Sequence, residues 1–135
     1  MEGAAVMPVI AHADKREVPW RPGYRNFVLA GADEGLACVA GYSEIEPGAG
    51  APLHVHHDVD EVFVVVAGAM EVRLGDETVL VEADHTVAIP AGTPHSFRVV
   101  GDQTMRMFTF MPRHHAIAER TTYLEGTVPA GAAAH

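Results

Sequence analysis

The stretch Gly48–Gly68, GAGAPLHVHHDVDEVFVVVAG, decides how this chain reads. Alternate residues of a β-strand face the same way, so His54 and His56 can aim both imidazoles at one point while Val55 faces away. Glu61 follows five residues after His56 and leads into a run of β-branched residues. Farther on, Ile89–His95, IPAGTPH, returns the chain toward another strand and brings in His95. Three imidazoles and a carboxylate are a donor set for one divalent transition metal. Fe, Mn, Co, Ni, Cu and Zn all accept it, and the set does not choose among them.

Glu61 does not follow from periodicity. Counting by twos from His56 keeps Asp58 and Asp60 on the ligand face and turns Glu61 away. Glu61 joins the histidines only where His57–Asp60, HDVD, makes a turn or bulge that resets the phase. Asp58 and Asp60 then read as solvated turn residues, and His57 as an exposed or supporting side chain rather than a ligand.

Around this stretch the chain reads as a single β-rich domain. Its 135 residues are enough to bury roughly two thirds of the unfolded surface without a staple. Proline and glycine cut it into short apolar runs, giving candidate strands at 24–30, 36–45, 53–56, 61–67, 70–74, 78–82, 86–89, 96–100 and 105–111. Many short strands with regular turns indicate an all-β sandwich or barrel. Gly75-Asp76 suits a tight hairpin. The expected organisation is an N-terminal arm over 1–21, a barrel over 22–112, a short helical or irregular segment over 113–125 with a helix at His114–Glu119, and a disordered tail over 126–135.

Charge and composition narrow the partners. Eighteen acidic residues against nine basic ones give a net charge of −9, so a phosphate backbone is repelled and no nucleic acid is expected. No run approaches the roughly 18 apolar residues of a membrane span, and the N-terminal residues, with Glu2, Pro8 and no basic stretch, do not read as a signal peptide. The one cysteine, Cys38, excludes an intrachain disulfide and fits a reducing, cytoplasmic setting with Cys38 as a small buried hydrophobe. No nucleophile elbow or phosphate loop is present.

The histidine motif resembles that of the cupin superfamily. Gly48, His54, His56, Glu61 and Gly68 match the whole of the first cupin motif, and Pro90, Gly92 and His95 match part of the second, with Asp84 in place of its opening glycine and Val99 in place of its closing asparagine. The resemblance implies a double-stranded β-helix (jelly-roll barrel) whose metal is held by His54, His56, Glu61 and His95, leaving open positions for substrate, water or dioxygen. Glu61 is the candidate catalytic residue, as ligand or base.

By strand phase Phe63 and Val65 share Glu61's face and Phe97 and Val99 share that of His95, with Met70, Val72 and Leu74 as further wall of a mostly apolar pocket. The same residues serve equally as barrel core. Tyr42 or Arg106 is a candidate polar contact, whereas Met105, Met107, Phe108 and Phe110 read as packing of a sheet face or a dimer interface. The function so implied is a small-molecule enzyme with dioxygenase-like chemistry on an enol, phenol or diketone. Its alternatives are a non-redox isomerase, cyclase or lyase, or a non-catalytic ligand-binding cupin. A homodimer is expected.

Overall fold

The computed structural model describes residues 9–112 and 119–131. Eleven strands run antiparallel through them: β1 (Arg16–Arg21), β2 (Tyr24–Ala30), β3 (Val39–Ile45), β4 (Gly50–His56), β5 (Glu61–Ala67), β6 (Ala69–Leu74), β7 (Glu77–Glu82), β8 (His85–Ile89), β9 (His95–Val100), β10 (Met105–Met111) and β11 (Thr121–Tyr123). They form a six-stranded sheet in the order β1-β2-β3-β10-β5-β8 and a five-stranded sheet in the order β11-β4-β9-β6-β7. The architecture is a jelly-roll barrel. All nine sequence-derived strands are present, and the Gly75-Asp76 hairpin joins β6 to β7 with Leu74 opposite Glu77.

Two strands lie where none was expected. β1 occupies the end of the expected arm and pairs with β2, and β11 lies within the expected helical or irregular segment and pairs with β4. Beyond β11, residues 126–131 return to β1, where the Ala130 amide donates to the Trp20 carbonyl. The helix expected at His114–Glu119 lies almost wholly outside the described residues, and no α-helix occurs among those described. None of the described helical segments is long and apolar enough to cross a membrane.

Alternation along the strands builds the interior. In β5, Phe63 and Val65 are buried while Val64 and Val66 are exposed, and in β10 Met105, Met107 and Met111 are buried while Phe110 is exposed. One core cluster gathers Ile45, Val65, Met70, Val72, Val99, Met105 and Met107, each at most 1% exposed, together with Phe63 and Phe97. A second gathers Val18, Val28, Val39, Val59 and Met111 under Trp20. Met105 and Met107 therefore fill the core, whereas Phe108 and Phe110 take the opposite face of β10.

Two backbone positions make this geometry possible. Gly68, between β5 and β6, has φ +77°, and a Cβ there would lie 2.8 Å from the Met105 Cα; glycine removes both the strain and the clash. Asp84, between β7 and β8, has φ +67°. It occupies the left-handed conformation that the motif's glycine would take, and aspartate tolerates it better than most residues.

Candidate metal centre

Strand register brings the four donors together. His54 lies directly opposite His95 across the β4–β9 pair, and on its other side β4 pairs with β11, which sets Tyr123 opposite His54 and Thr121 opposite His56. Glu61 arrives from the other sheet. The chain leaves β4 at His56, turns through Asp58 at φ +66°, and enters β5 with Glu61 facing inward. The left-handed Asp58 is the phase reset that strict alternation lacks. Asp58 is itself solvated and pairs with Arg120 at 3.1 Å, the exposed Asp60 accepts from the Ala91 amide at 2.8 Å, and the exposed His57 meets the Thr122 hydroxyl at 2.8 Å. None of the three enters the cluster.

One nitrogen from each of His54, His56 and His95 and one Glu61 oxygen lie within 4.8 Å of one another. Ligand bonds of about 2.0–2.2 Å put opposite donors about 4.2 Å apart, so the cluster has the scale of a coordination sphere. Its ring orientations are fixed from behind. Nδ1 of His54 lies 2.7 Å from the Pro52 carbonyl and Nδ1 of His95 lies 2.9 Å from the Thr93 carbonyl. A carbonyl only accepts, so each Nδ1 carries the hydrogen and each Nε2 turns a lone pair inward. Nδ1 of His56 meets the Thr121 hydroxyl at 2.7 Å.

The electrostatics suit a cation. Glu61 Oε1 stands 3.2 Å from His56 Nε2 and 3.4 Å from His95 Nε2. Glu61 Oε1 and His95 Nε2 are buried with no hydrogen-bond partner. Lone pairs that face one another in a buried site are unfavourable until something positive stands between them. A divalent ion satisfies them together, and the residues present fit one. Burial, and then the proximity of His95, hold the His54 imidazole down at about 4 despite the Pro52 carbonyl, so it is neutral at pH 7. Burial opposes ionisation of Glu61, and a positive charge at the adjacent His56 and His95 lowers its carboxyl below the usual carboxylate range, so the ionised form goes with a cation or a proton standing in the cluster.

The cluster opens onto a cavity between the two core clusters. Phe63 and Phe97, edge to face at 5.5 Å, form one wall, with Val28, Val39 and Met111 on another. Val65, Met70, Val72 and Val99 lie in the first core cluster and do not line the cavity; strand phase points them inward but below it. Tyr42 and Arg106 bond to each other at 2.7 Å, and neither lines the cavity. Residues outside the sequence-derived set do line it: Trp20 and Arg21 from β1, Tyr24 and Asn26 from β2, and Thr121 and Tyr123 from β11. The Tyr123 ring stacks on His54 at 5.1 Å. The Thr-Thr-Tyr triplet, β-branched then aromatic, was the available signal for β11.

Thr121 is the polar partner of one ligand, which gives a direct expectation. Thr121→Val keeps the shape and removes the hydroxyl, and should weaken metal affinity about 10- to 100-fold with the fold intact. Competition against a chromophoric chelator measures it, and an unchanged affinity would deny Thr121 this role.

Comparison with known proteins gives consistent results. The Cupin domain family model matches residues 41–111. Quercetin 2,3-dioxygenase of Bacillus subtilis (strain 168) is 43% identical over 53 residues, which are 39% of this chain and 16% of that protein. Polyketide synthase CurC of Streptomyces cyaneus is 38% identical over 80 residues, 59% of this chain and 50% of that protein. The chain thus spans no more than half the length of these curated relatives. The solved structure of the polyketide cyclase RemF from Streptomyces resistomycificus superposes with a TM-score of 0.71 at 21% identity, covering 90% of this chain and 88% of that one.

Proposed function

The chain belongs to the cupin family, and from that membership we propose that it is a metal-dependent enzyme acting on a small organic molecule, with dioxygenase-like chemistry on an enol, phenol or diketone. The observation that carries this reading is the convergence of four donors, three of them buried and two with unpaired atoms, beside a largely apolar cavity that His54, His56 and Glu61 line. The similarity to a quercetin dioxygenase supports the choice of chemistry. A cytoplasmic setting, with Cys38 as a free thiol, belongs to the same reading.

A bound divalent ion would supply Lewis acidity toward substrate oxygens and, where redox-active, an electron-transfer partner for dioxygen. The remaining work falls to the chain. Glu61, ionised and buried, either stays a ligand or accepts the proton that a hydroxyl or enolisable carbon gives up. Burial raises the hydroxyls of Tyr24 and Tyr123 above the ordinary tyrosine value, so both stay protonated and able to donate to a developing oxyanion. Phe63, Phe97 and Trp20 exclude water and orient a flat ring.

A second reading, non-redox cyclisation, uses the same groups, and a polyketide synthase, CurC, is among the similar proteins. Dioxygen separates the two. Turnover of an enolisable phenol or diketone should consume dioxygen, and product formation undiminished under strict anoxia would move the chain to the non-redox class. Metal-loaded protein that binds such compounds without converting them under either condition would make it a ligand-binding cupin.

A further inference from the structure

The end of the cavity formed by β1 and β11 carries a feature that the metal cluster does not use. Arg21 is the sole lysine or arginine among the residues lining the cavity, and Glu61 the sole carboxylate. The Arg21 guanidinium is held in place. Its Nη2 donates to the Thr127 carbonyl, and its plane lies over the Tyr123 ring, 5.3 Å from the centroid. Its Nε is buried and has no acceptor among the described residues. A guanidinium fixed at the end of a largely apolar cavity, and the one cation among its lining residues, offers charge-assisted hydrogen bonds to a carboxylate.

We propose that Arg21 is the anion-holding end of this cavity, and that its ligand is a flat, mostly apolar organic acid whose carboxylate pairs with Arg21 while its ring lies toward the histidine cluster. This deepens the reading of the cluster as a metal centre for small organic substrates and rests on it. Charge supports the assignment: with neutral histidines Arg21 and Glu61 balance, so a divalent ion leaves the cavity net cationic and selects an anion. The wall between the ends is aromatic. Trp20, Tyr24, Phe63 and Phe97 line it, with Tyr24 and Phe97 5.9 Å apart, which suits a conjugated ring and disfavours a sugar. Tyr123 joins the ends, since its ring stacks on His54 and carries the Arg21 guanidinium.

Calorimetric titration with cinnamate and with its neutral isostere cinnamamide tests the proposal, on protein of matched, measured metal content. Wild type should bind cinnamate about tenfold or more tighter than cinnamamide. Arg21→Met should bring the two affinities together, and Arg21→Lys should restore part of the preference. The same titrations on His56→Ala distinguish the two readings: a preference for cinnamate that survives loss of the metal and still vanishes with Arg21→Met assigns the anion to Arg21 alone. Equal affinity of wild type for the two compounds would overturn the proposal, whether or not the variants fold. So would an Arg21→Met protein that binds cinnamate as tightly as wild type. Metal content measured on the same samples reports separately on the metal reading.

Discussion

Replacing His56 with alanine should abolish stoichiometric binding of a divalent transition metal while the barrel stays folded. His56 supplies one of three nitrogens in a set whose members lie within 4.8 Å, and no other described histidine stands near enough to replace it. The exposed His57 points away and bonds to Thr122. Loss of a ligand should cost more than the roughly 10- to 100-fold that loss of a supporting partner costs. The fold should survive because the imidazole contributes a donor rather than apolar packing. Its removal also takes one lone pair away from Glu61 Oε1, which has no hydrogen-bond partner. Metal titration beside a thermal melt reads both halves of the expectation, and undiminished metal content would contradict the ligand assignment.

Phe97→Ala should cost about 3–5 kcal/mol of stability. Phe97 is 4% exposed, lies two residues after His95 on the same face of β9, and packs against Phe63 at 5.5 Å and Tyr24 at 5.9 Å. Across the sheet it faces Val72 on one side and Ala51 on the other, so truncation leaves a void with backbone on both flanks that cannot collapse freely. The void would join the cavity and admit water, which places the cost toward the lower end of the range. Against a total stability of about 5–15 kcal/mol for a domain, this is a large fraction. Val66→Ala is the control: Val66 is 37% exposed on the opposite face of β5 and should change stability by about 0.5 kcal/mol or less. Urea unfolding of both variants decides the matter, and equal losses would contradict the packing role of Phe97.

The contrast between these residues shows where sequence was informative. Period-2 alternation placed His54 with His56 and Phe63 with Glu61, because a strand has two faces and the pattern of burial follows them. It could not place Glu61 relative to His56, since that depends on one backbone torsion, the φ of +66° at Asp58. Alternation also carries no information about height along the barrel. Phe63 and Val65 face the same way, yet Phe63 lines the cavity and Val65 is sealed in the core at 0% exposure. The polar residues of the cavity were harder still. Arg21 and Tyr123 sit in strands of six and three residues at the edges of the two sheets, where short length and a proline in Glu17-Val18-Pro19-Trp20 hide the strand pattern. Pro19 is tolerated because an edge strand needs fewer ladder donors. The departures at Asp84 and Val99 leave the fold intact for physical reasons: Asp84 adopts the left-handed turn, and Val99, 1% exposed, fills core.

The central claim is that His54, His56, Glu61 and His95 form a metal centre, and elemental analysis of untagged protein purified without chelator tests it most directly. The expected result is about one divalent transition-metal ion per chain, lost together with the His56 imidazole. Metal content no greater in wild type than in His56→Ala, after the wild type has been supplied with each candidate ion and desalted, would contradict it.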